Sequence, residues 1–108
     1  MVCLRLALNA GSSRAQEILG TFRFLMLGTR LEPGCLGCSA WVDPDATVRY
    51  IEEWSTEADM QRRVLSDRFT SLLSVFESAQ EPPRLQFYFV SHTRGLDYVA
   101  ELRDVMAG

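Results

Sequence analysis

Few side chains in this sequence have the chemistry of a reactive site. His92 is the only histidine, and imidazole ionises close enough to neutral pH to act as a general base. Strand alternation puts it on one face with Gln86, Tyr88 and Val90, where Tyr88 adds a phenol. A lone histidine with no partner to orient it reads equally as a strand-end residue exposed to solvent. Trp54 closes an alternating run that also carries Tyr50, and two such rings can line a pocket for a planar molecule. The same pair can simply fill a core or a subunit contact. Arg63 and Arg68 follow on a helix. A guanidinium binds an oxyanion, a carboxylate or a phenolate but cannot serve as a base; a solvated helix face is the plainer reading of both. Asn9, at the end of the first strand, can orient a ligand carbonyl. Cys35-Leu36-Gly37-Cys38 has the spacing of a zinc or redox motif. It lacks a second ligand pair, and within a strand residues three apart face opposite sides. No metal is expected.

Periodicity supplies the elements that must position these groups. Val2–Asn9 reads as a strand with Val2, Leu4, Leu6 and Leu8 on one face. Gly11-Ser12-Ser13 breaks it and offers a helix cap, with Glu17 near the first turn. The helix runs to about Arg30 with an apolar stripe of Ala15, Ile18, Leu19, Phe22, Leu25, Met26 and Thr29. Pro33-Gly34 ends the connection. Cys35–Val42 is a second strand, Asp43-Pro44-Asp45-Ala46 a turn, and Thr47–Trp54 a third strand with Val48, Tyr50, Glu52 and Trp54 on one side. Thr56–Leu65 is a short helix capped by Ser55 or Thr56. Another begins near Asp67, burying Phe69, Leu72, Leu73 and Phe76, and Glu81-Pro82-Pro83 stops it. Arg84–Thr93 is the fourth strand. Leu96, Val99, Leu102 and Met106 form the stripe of a terminal helix. The order β-α-β-β-α-β plus a helix predicts an α+β, ferredoxin-like fold: a four-stranded antiparallel sheet with helices on one face.

The middle of the chain carries a family resemblance. Leu31-Glu32-Pro33-Gly34-Cys35-Leu36-Gly37 turns a helix into a strand. The hairpin ends Tyr50-Ile51-Glu52-Glu53-Trp54, and the helix opened by Ser55-Thr56-Glu57-Ala58 leads to Ser66-Asp67-Arg68-Phe69. This order resembles the antibiotic-biosynthesis-monooxygenase-like family of dimeric α/β-barrel proteins, whose pattern is Pro-Gly-Cys, a strand pair, Glu-Glu-Trp, then a helix with Ala and a terminal Ser-x-x-Phe. The resemblance implies a single such domain over residues 1–108. It also implies, for members acting on quinols or anthrones, oxygenation without a cofactor: the deprotonated substrate itself passes an electron to dioxygen. The family often has histidines nine and fourteen residues past this tryptophan; Arg63 and Arg68 stand there instead. Haem-degrading relatives use an Asn, a Trp and a His together. In an ungapped alignment these fall at Leu4, Arg63 and Leu73, so that set is absent and haem breakdown is not expected.

Composition narrows the partners. The chain has 108 residues, a 47% apolar fraction and a net charge of −3, which fits one folded domain rather than disorder. All eleven basic residues are Arg, a compositional bias, and no basic cluster suggests nucleic acid. No apolar run approaches the roughly 18 residues of a membrane span, and the N-terminus reads as a strand rather than a signal peptide. Three cysteines fit no disulfide framework and suggest a reducing cytoplasm. No phosphate loop, nucleophile elbow, flavin or nicotinamide fingerprint is present, so no cofactor is expected. Helices cover only one face of a four-stranded sheet, yet both parities of the second and fourth strands are apolar. Such a surface predicts sheet-to-sheet pairing into a symmetric homodimer.

The expected function is a cofactor-independent monooxygenase on a small aromatic or quinol-type substrate. Trp54 and Tyr50 would stack the substrate, with Asn9 and Arg68 as further contacts; His92 or Tyr88 would take the proton and Arg63 would hold the phenolate. The alternative is a non-catalytic homodimeric ligand-binding or stress-response module, which a closed core beside Trp54 would favour.

Overall fold

Alternation in Val2–Asn9 (β1) separates the two sides of the molecule. Val2, Leu4, Leu6 and Leu8 are buried, while Arg5 and Asn9 are exposed on the opposite face. β1 lies inside a four-stranded sheet, flanked by Thr47–Trp54 (β3) and Arg84–Phe89 (β4), with Cys35–Val42 (β2) outside β3. The order is β2-β3-β1-β4 and every neighbouring pair is antiparallel. These are features of a computed structural model, which describes residues 1–77, 79 and 81–107, with side chains as far as 105. The expected ferredoxin-like α+β arrangement is the one observed.

The helices Ser12–Thr29 (α1), Glu57–Val64 (α2) and Asp67–Phe76 (α3) connect the strands. The core forms where Leu4, Leu6, Leu8, Val48 and Tyr50 of the sheet meet Phe22 and Met26 of α1 and Phe69 and Leu72 of α3. A smaller cluster of Val2, Trp54 and Met60 fills the end beside α2. Local chemistry sets the boundaries. Gly11 precedes α1 at φ 80, and its carbonyl accepts from the amides of Arg14 and Ala15; no side chain caps this helix and no acid lies in its first turn. That differs from the expected Ser12/Ser13 cap with Glu17 close by: a positive φ suits glycine, and it leaves the serines inside the helix. Thr56 caps α2 by accepting from the Asp59 amide at 3.1 Å, and Ser66 caps α3 by accepting from Phe69 at 3.3 Å.

Three further differences from the sequence reading have physical causes. Leu73 is 42% exposed, because the inward face of α3 is set by Phe69 and Leu72. β4 stops at Phe89, which forms the last pair of the β1/β4 ladder with Val2, rather than running on to Thr93; His92 therefore lies past the strand, exposed. The last helix, Leu96–Ala107 (α4), is present, but its stripe is left largely uncovered by the described residues: Leu96, Val99 and Leu102 are 85%, 48% and 47% exposed. The Met106 side chain lies outside the described residues. The chain is correspondingly elongated, 56 × 32 × 22 Å, with a radius of gyration of 16.9 Å against about 13 Å for a compact chain of this size. Among the described residues no helix is long and apolar enough to cross a membrane.

Candidate functional site

Period-two alternation in β3 sends Tyr50, Glu52 and Trp54 to the helix side, where all three are almost completely buried. A carboxylate in such a place needs a counter-charge and hydrogen-bond donors. Arg63 supplies the charge. It sits one turn after Met60 on the inward face of α2 and is 2% exposed. Its Nη2 donates to Glu52 Oε2 at 2.9 Å, and Nε reaches Oε1 and Oε2 at 3.2 and 3.3 Å. Trp54 Nε1 donates to Oε1 at 3.0 Å and the Tyr50 hydroxyl donates to Oε2. Three donor side chains thus converge on one acid, and the ring of Phe69 lies 5.4 Å from the guanidinium carbon.

The electrostatics follow from this closure. Burial first, then the charge of Glu52, pushes the Tyr50 phenol well above its ordinary range, so its proton stays in place. Burial works against the charge of Arg63, but the hydrogen bonds and charge of Glu52 outweigh it and hold the guanidinium more firmly protonated than usual. The remaining nitrogen, Nη1, turns away from Glu52. It lies 3.4 Å from Glu32 Oε2, and both atoms are buried without a hydrogen bond.

A cleft of about 280 Å³ opens over Arg63 on the helix side. Its apolar walls are Phe24, Leu25 and Leu27 of α1. Thr29, Arg68 and Ser71 complete it. Arg68 lies across Gly28 so closely that a Cβ there would stand 2.6 Å from Nη1 of Arg68. The cleft therefore has a largely hydrocarbon wall and two guanidinium groups, Arg63, already ion-paired with Glu52 and Glu32, and Arg68, an arrangement that can take a flat organic anion.

The structure brings Trp54, Tyr50 and Arg63 together and puts Arg68 in the adjoining cleft, but it separates the other candidates from them. Trp54 and Tyr50 are 1% and 0% exposed, so the two rings are core-buried partners of Glu52 rather than open walls. Tyr88 lies on the opposite, open face of the sheet, donating to Gln86 Oε1 at 2.9 Å with its ring 5.1 Å from the Arg5 guanidinium carbon. It lines a second hollow of about 280 Å³ with Arg5, Trp41, Arg49 and Arg84. His92 is exposed beyond β4. Asn9 accepts from the Gly11 amide at 3.1 Å and so holds the turn into α1.

Cys35 and Cys38 differ from the alternation argument. A bulge at Leu36 inserts one residue, so that Cys35 pairs with Trp54 and Cys38 with Glu52, both on the helix-side parity. Burial raises the pKa of both thiols. Among the described residues no group of three or more candidate ligands gathers to hold a metal.

Glu52 and Glu32 are the site residues that sequence reasoning passed over. For Glu52 a signal existed: an acid on the apolar parity of a buried strand requires a partner. Its partner lies eleven residues on, across a turn, and no local pattern marks that pairing. Glu32 sits in a polar connection where nothing in the sequence distinguishes it.

No protein-family model matches the chain, and no curated protein matches it. Solved structures do. An antibiotic-biosynthesis-monooxygenase-like protein from Deinococcus radiodurans superimposes with a TM-score of 0.78 at 17% identity, covering 89% of this chain and 98% of the other. The fold is that of the antibiotic-biosynthesis-monooxygenase-like proteins. A second such protein, from Nitrosomonas europaea, gives 0.73 at 13% identity over 85% of this chain and 100% of its own. A Bacteroides thetaiotaomicron protein of unknown function gives 0.71 at 11% identity over 81% and 94%. At these identities the likeness is one of fold.

Proposed function

We propose that the protein is a cofactor-independent monooxygenase of a small acidic aromatic or quinol-type substrate. The substrate lies in the helix-side cleft with its oxyanion toward Arg63 and Arg68. The observation that carries this reading is the buried Arg63 itself: Glu52 fixes one side of its guanidinium, and Nη1, ion-paired with Glu32 at 3.4 Å, makes no hydrogen bond beside the cleft that Arg63 lines. A preorganised cation in a water-poor site stabilises an anion as it forms. Electron-rich anions of this kind react with dioxygen directly. An acidic methylene group is thereby converted to a carbonyl: one oxygen atom enters the substrate, and the other leaves as water with the two methylene hydrogens. Anthrone is a suitable probe. The purified protein, supplied with no flavin or metal, is expected to consume one dioxygen per anthrone oxidised. Arg68→Gln is expected to raise KM several-fold. Failure of the wild-type protein either to bind anthrone or to speed oxygen uptake would overturn the proposal.

A second reading is a ligand-binding module without catalysis. It is favoured by the closure around Trp54 and by the positions of His92 and Tyr88, both away from the cleft. Anthrone binding, followed by quenching of tryptophan fluorescence, with no gain in oxygen uptake would decide for it.

Under either reading we propose a homodimer. Trp41 and Tyr88 on the open sheet face are 38% and 43% exposed, and the stripe of α4 is uncovered. Pairing of the two open faces, with α4 laid on the partner, would bury both surfaces.

A further inference from the structure

We propose that the hollow on the open face of the sheet binds a divalent oxyanion, a phosphoryl group, and that this anion fastens two copies of the chain together; the second half rests on the proposal that this face pairs in a homodimer. Strand register builds the hollow. Trp41 on β2, Arg49 on β3, Ala7 on β1 and Arg84 on β4 lie in one row across the sheet, and Arg5 lies in the next row of that face, opposite Ile51. Neighbouring strands are about 4.8 Å apart, so Arg49 and Arg84 stand about 10 Å apart at the backbone. The side chain between them is a single methyl. A small residue flanked by two long cations leaves a depression within reach of both guanidiniums, and Trp41 and Tyr88 wall the resulting space of about 280 Å³.

The three cations are only partly satisfied. Asp43 accepts from Nε of Arg49 and from Trp41 Nε1, the latter at 3.0 Å, and so fixes both side chains at the rim. Neither Nη group of Arg49 makes a hydrogen bond to a described residue. Arg5 stacks on the ring of Tyr88, 5.1 Å from its centre. Arg84 makes no hydrogen bond, ion pair or ring contact with any described residue. Glu53, the carboxylate on the same parity of β3, forms no ion pair with any of the three.

On an isolated chain water and salt screen these charges. Face-to-face pairing brings both sets of three into one interface, where like charges without an acceptor are costly to bury. A divalent oxyanion removes that cost. Each guanidinium presents paired N–H donors that match the edge of a phosphoryl group, and several oxygens on one centre can accept from more than one arginine. The phosphoryl group is either free or carried on an aromatic ester whose ring meets Trp41.

The test uses the full chain with inorganic phosphate and phenyl phosphate, against sodium chloride at equal ionic strength. Calorimetric titration reads binding, and sedimentation equilibrium reads the dimer. Phosphate is expected to bind and to lower the dimer dissociation constant by about fivefold or more. Tighter binding of phenyl phosphate assigns an aryl ester as the ligand; equal binding assigns the free anion. Arg84→Gln is expected to weaken phosphate binding by about tenfold or more and to remove the effect of phosphate on the dimer. Arg84→Lys, which keeps the charge but not the fork, is expected to fall between. Arg23→Gln deletes an equal charge from α1, across the sheet from the hollow, and is expected to change neither readout. Unchanged circular dichroism shows that each variant is folded. A wild-type dimer that binds no phosphate, or equal effects of Arg84→Gln and Arg23→Gln, overturns the anion site and leaves the homodimer standing. Phosphate binding by a chain that stays single in both salts overturns the fastening role together with the homodimer, and keeps the hollow as an anion site. Absence of both binding and dimer overturns the whole proposal.

Discussion

Glu52 occupies the kind of place where a charge survives only if all its needs are met. Its carboxylate is fully buried, and its partners are a guanidinium, an indole and a phenol. Removing one partner of a buried ion pair leaves the other uncompensated, which costs about 3–5 kcal/mol. Glu52→Leu is therefore expected to lower the unfolding free energy measured in urea by an amount of that order, and the double variant Glu52→Leu/Arg63→Met to recover much of it, because no bare cation remains. Equal losses in the single and double variants would show that the pair is not the cause. The phenol adds a pH dependence. Folding raises the pKa of Tyr50, chiefly through burial, from an ordinary value of 10.0. The folded chain thus holds this proton more tightly than the unfolded one. The stability it contributes is complete below about pH 10 and is lost as pH climbs above that value. Urea midpoints measured from about pH 8 to about pH 12 are expected to decline at the alkaline end. Tyr50→Phe is expected to be less stable at neutral pH by about 1.5–3 kcal/mol, the worth of a hydrogen bond to a charged group, and to decline less steeply.

The elements hold these residues through a few backbone positions. Gly34 turns the chain from α1 into β2 at φ 84, its carbonyl accepts from the Ser55 amide at 2.8 Å, and a Cβ there would stand 2.2 Å from the Asp59 carboxyl carbon. Asp59 is itself held by Thr56 and Arg62 at the start of α2. Gly34→Ala thus faces both a strained backbone and a clash that pushes on the helix carrying Arg63. It is expected to cost more than about 1 kcal/mol. Gly37→Ala, in the same strand with open space around it, is expected to cost less than about 1 kcal/mol. Equilibrium urea unfolding of the two variants separates them, and equal losses would contradict the account. These positions also show how far the sequence can be read. Strong alternation in Val2–Asn9 and Thr47–Trp54, and helical spacing from Ala15 to Thr29, foretell the strands, the helix and their buried faces, because burial of one face dictates that spacing. The bulge at Leu36 is hidden, since one inserted residue leaves no mark in a short mixed strand, and it reverses the relation of Cys35 to Cys38. The candidate site is legible only in part. Trp54, Tyr50 and Arg63 stand out by residue type, but the salt bridge that joins them passes through Glu52, and tertiary contact alone creates it. Residue type extends the fourth strand as far as Thr93, whereas β4 ends four residues earlier, because pairing partners on β1 decide where it stops.

At the scale of the whole molecule two surfaces stand unpaired on the single chain. One is the open sheet face, where Trp41 and Tyr88 surround a hollow rimmed by Arg5, Arg49 and Arg84. The other is α4, whose Leu96, Val99, Leu102 and Val105 are all largely exposed. A twelve-residue helix is marginal in water without tertiary support, and its ion pair between Arg94 and Glu101 at 2.5 Å is a surface contact of small worth. A second copy, as proposed above, would cover both features. A stable interface buries about 1,200–2,000 Å² in all, an area that one face of a four-stranded sheet together with an extended helix can provide. Ile51 lies at the centre of the open face, paired in register with Arg5 on β1 and Ser39 on β2. Ile51→Asp sets a charge there in each copy, and Leu102→Asp sets one on the stripe of α4. Sedimentation equilibrium is expected to give the wild type twice the chain mass of 12.2 kDa, and to give both variants a mass falling toward the single chain on dilution. If only Leu102→Asp dissociates, the helix rather than the sheet holds the pair together. If the wild type itself sediments as a single chain at micromolar concentration, neither surface is an interface. The cleft over Arg63 would then belong to an isolated chain, and the enclosure that strengthens its cations would have to come from the helices alone.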